Sequence, residues 1–479
     1  MKLRLLVVVT AVAACAALAG AAFARNPHCA GGIQYVVQGL RDKEKGNTED
    51  YQREMNKAVD QLATCATEDP EDFEAQSYLG WAYAEIDSMG PAGEWFTKAA
   101  TAAAAKGDKR KIEFIAANRD HYWSMAYNDG IKNIQEAQSA YPDFTKAPTE
   151  DEKPLKEQAA KNYQTAVTKL TQAKLLKPGH AQTLRNLATA YALMGNYDAA
   201  ETVLRNGVTE AAADTAVHGL SEALRTVRAN KAGALLGANK FDDAITYYSD
   251  LVKQDPTNSE LFMGLGNAYF SRAGTKPDAE KKGDFKLAAD AYAKAFELKT
   301  SDTNLAFNAA LSYQNAGELA LAEGQWRAVL KNTPNDPDAL SSLGSVLADE
   351  KKYADAQTVL LRAIEIKPEE KVYYRQLGAV YSKANNNAKT TEMLIVYMAM
   401  SKGAPAADPA AATKAVKAGT AAASTLSSMG TPDKVLEWDD TSGGGKLQTW
   451  LYAKKRVAFT YNTAGALVQK SDWSAPAKL

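Results

Sequence analysis

The sequence predicts a mainly α protein: an α-solenoid of stacked helix pairs, followed by a small α+β module with a three-stranded antiparallel sheet. Three observations carry that prediction. A unit exemplified by Asp338 to Pro368 recurs along the chain. Pro70, Pro178, Pro256, Pro334 and Pro368 fall where units should end, and beyond Pro432 the apolar period shortens to two. A lone helix pair cannot bury its apolar face, whereas stacked copies can.

The N-terminus reads as an address. Lys2 and Arg4 precede an apolar run from Leu5 to Ala22, and Ala22-Phe23-Ala24 offers a small-x-small cleavage site. Residues 1–24 are therefore expected to be a signal peptide, cleaved after Ala24, which places the mature chain in the periplasm or outside the cell. The alternative is a lipoprotein of the envelope, because Val12-Ala13-Ala14-Cys15 is a loose lipobox that would leave a lipid anchor on Cys15. No later run reaches the roughly 18 apolar residues of a membrane helix. Of three cysteines, Cys29 and Cys65 would survive cleavage. Cys29 should open the first helix and Cys65 close the second. Antiparallel packing brings those ends together, so a disulfide is expected to staple the terminal pair.

Residues 25–402 carry the repeats. The first-helix triplet reads Leu79-Gly80 with Tyr83, Leu187-Ala188 with Tyr191, Leu265-Gly266 with Tyr269, Ala309-Ala310 with Tyr313, and Leu377-Gly378 with Tyr381. The second-helix triplet reads Ala92, Phe96, Ala99, then Ala166, Leu170, Ala173, and later Ala322, Trp326, Val329 and Ala356, Leu360, Ala363. Spacings of three and four put each triplet on one helical face. A small residue lets two helices approach closely, and proline cannot continue a helix interior.

This pattern resembles the tetratricopeptide repeat, a unit of about 34 residues. The resemblance implies a protein-binding solenoid with no cofactor, in which first helices line a concave groove. On that basis the candidate partner-binding residues are Trp81, Glu85, Arg185, Thr189, Met263, Asn267, Phe270, Phe307, Leu311, Ser341, Ser345 and Arg375. The Lys/Asn carboxylate clamp of chaperone-binding relatives is not apparent there. The chain also departs from the pattern. Lys109 to Ala140 is too long for a repeat helix, residues 141–154 and 271–284 look inserted, and Glu210 to Gly219 looks like an addition.

Residues 403–429 read as an Ala/Pro-rich linker, then a helix from Asp408 to about Ser428. Residues 430–479 read as the small β-rich module, with strands at Leu447–Tyr452, Arg456–Asn462 and Ala466–Asp472 and a loop at Gly443 to Gly445. Gly430-x-Pro432, Trp450-x-Tyr452 and the strand holding Val457 and Phe459 resemble SmpA/OmlA-type envelope modules, which implies protein contact in the cell envelope.

Composition excludes more than it selects. With 56 basic and 57 acidic residues interleaved, the net charge of −1 implies neither nucleic acid nor an anionic membrane as partner. His28, His121, His180 and His218 are scattered without metal-ligand spacing, and HExxH, CxxC, GxSxG and P-loop motifs are absent. Gly264-Leu265-Gly266 lies inside a repeat helix and is no dinucleotide loop. The expected protein is a non-enzymatic exported scaffold for a protein or peptide partner in envelope assembly or organisation. The alternative is an enzyme-associated subunit or glycan-binding protein, with its site in the C-terminal module or beneath the inserts.

Overall fold

The computed structural model describes residues 25–210, 216–440 and 445–477, and internal packing divides the chain into two compact units, one through Asn230 and one from Lys231. The expected signal segment, Cys15, most of the addition after Glu210, and Gly443 and Gly444 lie outside the described residues.

The first unit consists of α1 (Pro27–Glu44), α2 (Thr48–Glu68), α3 (Phe73–Glu85), α4 (Met89–Ala105), α5 (Lys109–Ala140), α6 (Lys153–Leu176), α7 (Ala181–Leu193), α8 (Tyr197–Glu210) and most of α9 (Ala216–Gly237). The second continues with α10 (Phe241–Gln254), α11 (Ser259–Thr275), α12 (Lys281–Leu298), α13 (Thr303–Ala316), α14 (Leu319–Asn332), α15 (Pro337–Asp349), α16 (Tyr353–Ile366), α17 (Lys371–Lys383) and α18 (Asn387–Lys402). Pro70, Pro178, Pro256, Pro334 and Pro368 each follow a second helix within two residues of its end.

The signature residues explain why these helices pair. A Cβ placed on Gly80 would come within 3.1 Å of the Phe96 ring, and one on Gly344 within 2.6 Å of Leu360, so glycine sets the closest approach of first to second helix. The turns between paired helices share one device. Gly46, Asp87, Gly195, Gly317, Lys351 and Asn385 each adopt positive φ, and the next amide donates back five residues, as Ser88 to Tyr83 and Asn196 to Tyr191, both 2.9 Å. Only α5/α6 and α11/α12 lack it among the pairs from α1 to α8 and from α11 to α18, and these are the pairs with inserts. The second insert is largely helix. α11 runs on to Thr275 and α12 starts at Lys281, with buried Asp284 accepting from the Arg272 guanidinium at 2.7 and 2.9 Å.

The terminal pair is stapled by Cys29–Cys65, with Cα atoms 4.9 Å apart. Chain-entropy arguments give such a closure about 3–4 kcal/mol. Asp72 caps α3 beside it, accepting from the Ala75 amide at 2.9 Å and from the Arg25 guanidinium.

The C-terminal sheet corrects the expectation in two places. It has five antiparallel strands in sequence order, β1 (Ala404–Pro405), β2 (Lys434–Asp440), β3 (Gly445–Tyr452), β4 (Val457–Asn462) and β5 (Leu467–Asp472). The strand β2 is additional; its apolar residues Val435, Leu436 and Trp438 are buried, among charged neighbours that leave only a short apolar signal. Helix 408–428 is instead two helices, α19 (Pro409–Thr413) and α20 (Ala421–Met429), interrupted at Gly419, where φ is +80°. One sheet face, with Leu436, Trp438 and Leu447, packs on Ala399 and Ile395 of α18. The other, with Val435, Trp450 and Tyr461, is covered by α20. On the α18 face, Trp438 donates to Thr449 at 2.9 Å, and the Thr449 and Thr460 hydroxyls bond at 2.9 Å, so this buried polar row is internally satisfied. Further contacts fix the sheet to the repeats: Ser471 to the Glu392 carbonyl, 2.9 Å, and Arg456 to Glu365, 2.6 Å.

Candidate functional site

In the first unit, α7 and α9, both first helices of their pairs, enclose a cleft of about 680 Å³. Arg185 and Thr189 stand exposed one turn apart on α7; Glu222, Thr226 and Asn230 stand exposed at the same spacing on α9. Between these two polar rows the lining is apolar: Ala188, Ala192, Gly219 and Ala223, with Leu204 and Val227. The alanines and glycine at this face are too short to fill the space between the helices, and the channel stays open.

The helices run parallel. Trp123 of α5 lies edge-on to His180 at 4.7 Å and donates to Thr183, while Tyr127 accepts from Asn186 at 2.8 Å, so both sequences rise together. Arg185 lies beside Gly219, and Ala192 shares a cluster with Val227. The long helix α5 overshoots α7, and the inserted loop Pro142–Thr145 lines the cleft at that far end. Phe144 is edge-on to Tyr163 at 5.3 Å, and Lys156 donates to the Lys146 carbonyl at 2.6 Å, which pins the loop. Asp143 accepts from the Thr145 hydroxyl at 2.6 Å; that bond, with the Thr145 and Lys146 amides and the Lys146 charge, holds its carboxyl below the usual range.

The other groove candidates are placed as follows. Met263 and Arg375 are exposed, and Arg375 lies over the Tyr397 ring at 5.7 Å. Asn267 accepts from Tyr292 at 2.6 Å, and Ser341 and Ser345 both bond Gln376. Phe270 packs edge-on to Phe285, Phe307 edge-on to Trp326 at 4.9 Å, and Leu311 against the same core. Trp81 stacks on Tyr78 at 5.7 Å and touches Phe114.

Glu85 is a junction of four helices. Its side chain is 5% exposed and meets the Lys43 ammonium and the hydroxyls of Tyr51 (2.6 Å) and Tyr122. Burial alone would raise its pKa; the Lys43, Tyr122 and Tyr51 hydrogen bonds overturn that and hold it below the ordinary glutamate value. The folded state thus prefers the ionised form. That contribution is fully present above the unfolded glutamate pKa and is lost as pH falls through the folded one. Glu85→Gln is expected to lower stability at neutral pH by about 1–3 kcal/mol while flattening the acid limb of a denaturation-midpoint-versus-pH curve. Parallel curves for variant and parent would contradict it.

Little else in the described residues suggests chemistry. His180 caps α7, accepting from the Thr183 amide at 3.2 Å; burial, helped by Lys177, pulls its pKa down. Among the described residues, the one grouping of ligand atoms close enough for a metal is Cys29, Cys65 and Asp72, and there the sulfurs are joined. No helix of the described residues is long and apolar enough to cross a membrane. A second cleft, of about 480 Å³, lies in the C-terminal module beside Glu437, Gln448 and Trp450, with Lys417 and Lys446.

Tetratricopeptide repeat models match residues 158–224, 230–303 and 307–371. Those segments are tetratricopeptide repeats, helix pairs of the kind that serve as protein-interaction scaffolds. No curated protein matches the chain. Solved structures with a similar helical arrangement include YrrB, a TPR protein with an unusual peptide-binding site, at 19% identity over 41% of this chain and 91% of that one, TM-score 0.32. Another is MamA, at 20% identity over 37% of this chain and 91% of that one, TM-score 0.32. A third is MamA from Desulfovibrio magneticus RS-1, at 17% identity over 37% and 94%, TM-score 0.32.

Proposed function

We propose that this protein is an exported, non-enzymatic scaffold of the cell envelope that holds a peptide segment of a partner in its first-helix groove. The observation that carries the reading is the α7–α9 cleft, where exposed polar rows flank an apolar floor and Arg185 and Thr189 stand at the positions the repeat pattern assigns to partner contact. Binding there needs no bond chemistry, only a preformed surface. The Cys29–Cys65 disulfide and the signal-like N-terminus support an oxidising compartment.

A photo-reactive residue at position 189 is expected to capture one predominant partner in living cells. Arg185→Glu should reduce that capture by roughly tenfold, equivalent to about 1.4 kcal/mol, without changing the melting temperature. The same probe at exposed Met125 should capture nothing specific. Equal capture from both positions, or indifference to Arg185→Glu, would remove the interface from this cleft.

A second reading, an enzyme-associated or glycan-binding role, is favoured by the C-terminal cleft, where Trp438 and Trp450 lie near Glu437, Asp439, Lys417 and Lys446. Trp473 does not join them; it packs on Tyr374 of the repeats.

A further inference from the structure

Resting on the reading that the α7–α9 cleft holds a peptide, the geometry points to its ligand as the free amino terminus of an extended chain. The ammonium lies at the Asp143 loop, and the following residues leave past Arg185.

Three features of the cleft carry this. The first is a loop standing at one end. The loop Pro142–Thr145 lines the cleft where α5 overshoots α7, whereas Arg185 lies at the opposite end beside Gly219. A segment from the middle of a chain must leave by both ends; a chain terminus need leave by only one. Length is consistent with a short terminal stretch. Arg185 to Leu193 spans about 12 Å of helix axis, room for about four extended residues.

The second feature is the hydrogen-bonding character of the walls. Thr189 donates its hydroxyl to the Arg185 carbonyl at 2.9 Å, and Thr226 donates to the Glu222 carbonyl at 3.1 Å. Their donors are committed, so both present lone pairs to the cleft, as does the Glu222 carboxylate. Acceptors in a row suit the amides of a strand.

The third is the polarity along the channel. Arg185 is the cation at one end, and its guanidinium also reaches Gln182 of its own helix. The Asp143 carboxylate marks the other end, with one oxygen bonded to the Thr145 amide and hydroxyl and the Lys146 charge nearby. An ammonium at Asp143 forms a charge-assisted hydrogen bond.

The test uses the full mature chain, fluorescently labelled, against randomised tetrapeptides tethered through their C-terminal ends, with amino termini either free or acetylated. Binding is expected to the free set, and acetylation of a selected peptide should weaken it about tenfold. Asp143→Asn should bind free and acetylated peptides alike, whereas Arg185→Gln should keep the difference. Acetylated peptides binding as well as free ones to the unaltered protein would overturn the amino-terminus assignment while leaving a peptide groove in place. So would selected peptides, in solution, that lose binding on C-terminal amidation. Absence of any bound peptide, with partner capture at position 189 also absent, would overturn the groove reading and this inference with it.

Discussion

Trp473→Ala is expected to destabilise the second unit by about 3–5 kcal/mol and to free the C-terminal module for proteolysis. Trp473 is 1% exposed, lies edge-on to Tyr374 at 5.1 Å, and belongs to the same core as Leu360, Tyr381 and Val396 of the last repeats. Its backbone amide donates to the Arg456 carbonyl, tying the residue after β5 to the start of β4. The indole nitrogen has no partner, so truncation sacrifices no hydrogen bond, and the whole loss is apolar burial plus the cavity left behind. Val468, on β5 itself but 49% exposed, is the control, and Val468→Ala should stay within about 0.5 kcal/mol. Urea denaturation read through tryptophan fluorescence, with timed trypsin digestion, separates the two variants. If both resist denaturant and trypsin as the parent does, the sheet does not depend on this anchor.

That anchor also shows what the sequence could and could not disclose. The repeats were legible because their signature residues are the ones whose packing is most constrained. Gly80 and Gly344 touch the opposing helix, and Pro178 or Pro334 can only follow a helix end. The disulfide was legible for a similar reason, since antiparallel helices leave one place for Cys29 to meet Cys65. The C-terminal sheet was legible only in part. The strands β3 and β4 read from longer runs rich in aromatic and β-branched residues, whereas β2 offers only Val435, Leu436 and Trp438 between exposed charged neighbours, too short a stretch to set a period. Ala404–Pro405 became a strand by pairing with Leu436 and Glu437, a long-range event with no local signal.

The candidate groove illustrates a different limit. The family pattern specifies which helix face points away from the partner helix, but not what the rest of the chain lays over it. Phe307 meets Trp326, and Glu85 is claimed by Lys43, Tyr51 and Tyr122 from neighbouring helices. Arg185 and Thr189 stay exposed because the facing stretch of α9 offers Gly219 and Ala223 instead of large side chains. Nothing in α7 itself encodes that. The loop at Pro142–Thr145 was visible as an insertion, yet its place beside α7 follows from the overshoot of α5, which depends on how α5 and α7 register through Trp123, Tyr127, His180 and Asn186.

Gly93→Ala should be the most damaging single methyl in the first unit. Gly93 sits on α4, where a Cβ would lie 2.1 Å from the carbonyl oxygen of Leu175 and 2.9 Å from its carbon. The obstacle is backbone near the end of α6, not a side chain that can rotate aside. The two helices must therefore separate along their whole crossing. Separation would loosen Phe96, Ala99 and Leu176, which share one fully buried cluster, so the expected cost is about 3 kcal/mol or more, at the upper end for overpacking. Intrinsic helix preference works in the other direction, because alanine is favoured over glycine inside a helix by about 1 kcal/mol. Gly324 on α14 isolates that term: nothing lies within 4 Å of its would-be Cβ, and Gly324→Ala should stabilise by about 0.5–1 kcal/mol. Opposite shifts in denaturation midpoint from the same chemical change would establish that the α4–α6 crossing is set by backbone contact. A Gly93→Ala protein as stable as its parent would mean that the crossing is not this close in solution.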